Sequence, residues 1–97
     1  MKPHIFRPAA AADVEAVHGR YELERPGLGE EFLVEASRTV EAVIAFPESY
    51  PVVHRDTRRA LVHRFPHGLL YRILDDVIVF VGCFHTSRDP RSWKQRR

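Results

Sequence analysis

The chain has 97 residues, 44% hydrophobic and 29% charged, which excludes a disordered chain and predicts one globular domain over 1–97. No apolar stretch approaches the roughly 20 residues of a membrane span. The opening residues lack the apolar centre of a signal peptide, and the single cysteine, Cys83, excludes an intrachain disulfide, so a cytoplasmic protein is expected. The net charge of +2 is unevenly divided, with −4 on residues 1–49 and +6 on residues 50–97. Such a basic half attracts an acidic partner, nucleic acid or an acidic peptide, or else pairs with the acidic half of its own chain.

A short strand is predicted at His4-Ile5-Phe6-Arg7. Pro8 then suits the first turn of a helix, where its missing N–H costs nothing. Ala10, Val14, Val17 and Tyr21 form one helical stripe. Arg25-Pro26-Gly27 stops that helix. A second begins near Leu28, with Glu30 and Glu31 complementing its dipole. Leu28, Phe32, Ala36, Val40 and Val43 make its apolar face, and it ends at Phe46-Pro47. The short link predicts an antiparallel helical hairpin.

From residue 58 the period changes to two. Strands are predicted at Arg59–Phe65 and Leu69–Leu74, with a turn at Pro66-His67-Gly68 and a tight turn at Asp75-Asp76. Val77 to Phe84 has no polar interruption, as expected of a strand flanked or covered on both sides. By strict alternation His85 would share a face with Cys83, Val81, Val79 and Val77. Asp89 is a good N-cap and Pro90 a good first helical residue. A helix over 90–97 is too short to stand alone, so it must dock through Trp93 or fray. The order is β-α-α-β-β-β with a short C-terminal helix. That is an α+β fold with an αα-hairpin on one face of a mostly antiparallel sheet.

Several segments carry a family likeness. They are Arg25-Pro26-Gly27-Leu28-Gly29-Glu30-Glu31-Phe32, Phe46-Pro47, Tyr50-Pro51, Arg64-Phe65-Pro66-His67-Gly68-Leu69-Leu70-Tyr71-Arg72-Ile73, and His85-Thr86-Ser87-Arg88-Asp89-Pro90 followed by Trp93 and Arg96. In this order they resemble the RelE/ParE toxins of bacterial type II toxin–antitoxin systems, often labelled plasmid stabilisation proteins. The resemblance implies an α+β toxin neutralised by a cognate antitoxin. The antitoxin's acidic or amphipathic segment would fold on the toxin, in a hetero-oligomer or beside a toxin homodimer. It implies one of two activities: inhibition of DNA gyrase without catalytic residues, as in ParE-like members, or ribosome-dependent cleavage of mRNA, as in RelE-like members.

Cleavage through a 2′-hydroxyl needs a base, an acid and a positive clamp on the phosphate. His85, Arg64, Arg72 and Arg88 are the candidates, provided the sheet register brings them together. For binding a target or antitoxin the candidates are Arg64, Tyr71, Arg72, His85, Arg88 and Trp93. Against catalysis, Arg64 and Arg72 could be solvated or paired with Asp75, Asp76 or a helix glutamate, Tyr71 could pack in the sheet, and Trp93 could anchor the tail. The chain has only two lysines, Lys2 and Lys94, and Thr86 stands where related nucleases place a tyrosine. Arg88-Asp89-Pro90 resembles the ParE branch, so gyrase binding is the first expectation and mRNA cleavage the alternative. A plain nucleic-acid-binding module is disfavoured by a net charge of only +2. No cofactor or metal is expected: His63 and His67 are four apart, but Pro66 separates them outside any helix.

Overall fold

The computed structural model describes residues 2–97. Strand β1 (His4–Phe6) leads into helices α1 (Pro8–Glu24) and α2 (Leu28–Ala45). Strands β2 (Val52–His54), β3 (Thr57–Leu61), β4 (His67–Leu74) and β5 (Val77–His85) follow, then a single 3-10 turn at Pro90–Ser92. The strands form one sheet ordered β1-β5-β4-β3-β2, with β1 parallel to β5 and every other pair antiparallel. The α+β architecture expected from the change of period is therefore present. Among the described residues no helix is long and apolar enough to cross a membrane.

Local chemistry explains the elements. Pro8 opens α1, and the N–H of Arg25 closes it on Tyr21 O. The carboxylate of Glu22, in the last turn of α1, accepts from the N–H groups of Gly27, Gly29 and Glu30 at 3.2, 2.7 and 3.3 Å. One helix thus caps the next, and these bonds hold Glu22 below the usual carboxylate range. The Asp75-Asp76 turn has positive φ at both residues, 48° and 66°, as the twist of a two-residue hairpin demands.

Between helices and sheet lie Phe32, Val43, Leu69, Tyr71, Ile78 and Phe80, all with no measurable exposure. Leu70, Val79 and Val81 form a second cluster on the opposite face, under Trp93. Interior strand β5, second from the edge, is therefore covered on both faces, as its unbroken apolar run predicts.

Four expectations need correction. Strand β2 was not foreseen: three residues beside Pro51 are too few to show a period, and pairing with β3 alone defines them. Strand β3 ends at Leu61 rather than Phe65, because Arg64 turns into the left-handed region (φ 71°), and β4 starts earlier, at His67. The expected helix over 90–97 is one 3-10 turn. Asp89 does cap it, accepting from Arg91 N–H at 2.9 Å, but beyond it only isolated bonds from Lys94 N–H to Pro90 O and from Arg96 N–H to Trp93 O follow, not a continuous helix. Finally, a bulge breaks the alternation of β5. Leu70 faces Gly82 and Tyr71 faces Phe80, so Val81 is the extra residue. Cys83 therefore joins the helix-side core with Ile78 and Phe80, while Val79 and Val81 lie on the other face.

Candidate functional site

The bulge decides where His85 goes. Two residues beyond Cys83, it stands opposite His67, with ring centroids 5.2 Å apart. His67 is 4% exposed, packed against Tyr21 and Phe32, and its Nδ1 lies 3.4 Å from the Tyr21 hydroxyl. Burial first, then the proximity of His85 and Arg20, pushes its pKa down to about 4, so it is a neutral imidazole at pH 7. His85 itself is exposed. Its Nδ1 accepts from Ser87 N–H at 3.0 Å, with Ser87 Oγ at 2.7 Å. A backbone N–H can only donate, so Nδ1 is unprotonated and the neutral ring carries its proton on Nε2. The free nitrogen is thus a donor, and His85 acts as a base only after giving up its bond to Ser87.

The arginines do not converge on it. Arg72 lies on the sheet face away from the helices and grips Asp56 through Nε and Nη2 at 2.9 and 2.8 Å. Those bonds hold Asp56 below its ordinary range. Arg72 is five residues along β4 from His67, the partner of His85, a separation of about 16 Å at ~3.3 Å per residue. Arg64 sits in the β3–β4 loop, bonded to Glu31 of α2 at 3.0 Å with Glu35 at 3.9 Å. The expected helix glutamate is its partner, whereas Arg72 takes Asp56 rather than Asp75 or Asp76. Of these three arginines only Arg88 shares a cleft with His85, its guanidinium 5.5 Å from the Phe84 ring centroid; Arg59, outside the expected set, lines the same cleft.

Tyr71 presents no surface to a partner. It is fully buried and donates to Pro47 O at 2.7 Å, and burial raises its pKa to about 12. Trp93 is 7% exposed and closes over Leu70, Val79 and Val81, the docking role expected of it. A binding surface containing Tyr71 or the indole would require unpacking the sheet or the tail. Burial, then Asp13, raises the Cys83 thiol to about 12, so it is no nucleophile at neutral pH.

The family model described as ParE toxin of type II toxin-antitoxin system, parDE, matches residues 5–90. The chain belongs to the ParE toxin family. Among solved structures, it is similar to a chain of a chromosomal ParDE TA system from P. aeruginosa, with a TM-score of 0.78 at 17% identity. That match covers 88% of this chain and 96% of the other, and at such identity it speaks for the fold. No curated protein sequence matches.

Within this ParE chain, two residues beyond the expected set organise the site. Asp13 on α1 accepts from Cys83 N–H at 3.0 Å and from Arg96 at 3.0 and 3.3 Å, while Arg96 also donates to Val81 O at 3.0 Å. The bulge and the end of β1 leave those β5 backbone groups off the ladder, and the Asp13–Arg96 pair satisfies them. In the sequence Asp13 is one more polar residue off a helical stripe; only its place beside the bulge distinguishes it. His67 reads as a turn residue until the early start of β4 buries it.

Proposed function

We propose that the protein is a growth-inhibiting toxin that acts in the cytoplasm by docking on DNA gyrase, and that a cognate antitoxin with an acidic, amphipathic segment neutralises it. Membership of the ParE family supports the toxin role and an antitoxin partner. The observation favouring docking over RNA cleavage is the dispersal of the nuclease candidates. Arg72 and Arg64 are each tied to a carboxylate, and Arg72 is about 16 Å along the sheet from the histidine it would assist. A phosphate clamp must have its guanidinium free and aimed at the reacting group. The mRNA-cleaving alternative rests on the exposed His85 with Arg88 in one cleft.

The test is supercoiling by purified gyrase with the protein, with and without its neighbouring antitoxin. Inhibition or trapped cleaved DNA, reversed by antitoxin, is expected. Unimpaired gyrase in a preparation that still arrests growth would point instead to the ribosome.

A further inference from the structure

The two halves of the charge asymmetry do not cancel. Arg64 and Arg96 reach carboxylates of the acidic half, Glu31 and Asp13, while Arg72 and Arg91 pair with Asp56 and Asp89 of their own half. Among the described residues, no carboxylate lies within salt-bridge distance of Arg55, Arg59, Arg88 or Lys94. These four flank Trp93 on the sheet face away from the helices. Arg55 and Lys94 line a cleft of about 300 Å³ with Arg72 and with His54, whose ring meets the indole at 6.3 Å. Arg59 and Arg88 line a smaller one of about 130 Å³, bounded by Trp93 itself.

The smaller cleft is built to hold its charges. The stem of Arg59 crosses the sheet over Gly68, where an added Cβ would come 2.8 Å from Arg59 Cγ. Arg88 rests on Phe84, whose ring also carries Arg96 at 4.9 Å.

We propose that this face binds the phosphate backbone of duplex DNA. Guanidinium groups grip phosphate through paired hydrogen bonds, and a duplex offers about one charge per 1.7 Å of its axis. Single-stranded nucleic acid would need aromatic platforms for its unpaired bases. Here Trp93 is turned down onto the sheet and Phe84 is covered by arginines. An acidic amphipathic peptide would need apolar anchorage, but Leu70, Val79 and Val81 lie beneath Trp93. The net charge of +2 understates this surface because most of the offsetting carboxylates, such as Glu15, Glu24 and Glu41, sit on the helices.

The experiment is fluorescence anisotropy of a labelled duplex of about 20 base pairs with the purified full chain, without gyrase, from about 50 to 200 mM salt. Four phosphate contacts give a log–log slope of about −3.6, a loss of affinity of roughly a hundredfold across that range. Arg55→Ala/Lys94→Ala and Arg59→Ala/Arg88→Ala are each expected to flatten the slope by about 2. The helix-side control Arg20→Ala/Arg38→Ala should leave it unchanged. Absence of binding at the lowest salt, or an equal loss in the control, overturns the proposal. So does displacement of the duplex by single-stranded RNA or polyglutamate at a lower concentration of charge. Because gyrase is absent, this result stands apart from the choice of target.

Discussion

Residue by residue, burial sets the chemistry. His67 is held neutral with a pKa of about 4, against 6.5 for a free histidine. The unfolded chain therefore takes up this proton first as pH falls. Its contribution to stability is complete above about pH 6.5 and is lost towards pH 4, by at most about 3 kcal/mol. Denaturant melts at steps between those pH values should show that decline in the wild type and a flatter profile in His67→Leu; equal slopes would refute a buried neutral imidazole. Tyr71→Phe removes the hydroxyl bonded to Pro47 O and leaves that carbonyl unsatisfied, a cost of about 1–2 kcal/mol readable in the same melts. Asp13 and Arg96 share one ion pair, but their removal is not equivalent. Arg96→Ala strands Val81 O but leaves Asp13 bonded to Cys83 N–H, whereas Asp13→Ala strands that N–H, a costlier orphan than a carbonyl, and a half-buried guanidinium. Asp13→Ala should be the more destabilising by about 1–2 kcal/mol, and the reverse order would disprove the shared socket.

The elements meet at β5. Its centre is a core strand covered by helices on one side and the tail on the other. Its C-terminal part extends beyond the end of β1 and is finished by side chains from α1 and the tail. The tail makes one short turn, with the N–H groups of Trp93 and Lys94 bonded to Pro90 O, and Trp93 and Arg96 hold that turn on the sheet. Trp93→Ala should therefore release it without opening the sheet. Trypsin cleavage after Arg91 and Lys94 is expected to accelerate by about tenfold or more. The loss of stability should stay below the 3–5 kcal/mol typical of a Trp or Phe removed from a closed core. Cleavage unchanged by the substitution would mean the indole does not anchor the tail.

At the scale of the whole molecule, the chain sorts its charges by layer. Most acidic groups ride on the helices, and unpaired arginines and a lysine crowd the opposite sheet face. The proposed docking on gyrase needs no catalytic centre. His85→Ala and Arg72→Ala are accordingly expected to keep growth arrest when expressed without antitoxin. The Arg72–Asp56 pair is partly exposed and worth only about 0–1 kcal/mol, so the fold should survive. Loss of toxicity in both variants, with antitoxin binding retained, would transfer the function to RNA cleavage.

Legible in the chain alone are the helix hairpin, the three long strands with Val77 to Phe84 as the core one, the family and a docked Trp93. Each is written in local periodicity, in caps and turn residues, or in an ordered set of segments, all of which survive without knowing what packs where. The edge strand β2, the side on which His85 emerges and the partner of Arg72 appear only when the chain is folded. A single bulged residue, Val81, reverses which face the end of β5 presents, and alternation cannot reveal it. Asp13 and Arg96 are 83 residues apart, and only folding brings them to the same two backbone groups. The convergence of catalytic candidates depended on register, a long-range quantity set by packing of both sheet faces, and that packing placed Arg72 and His85 apart.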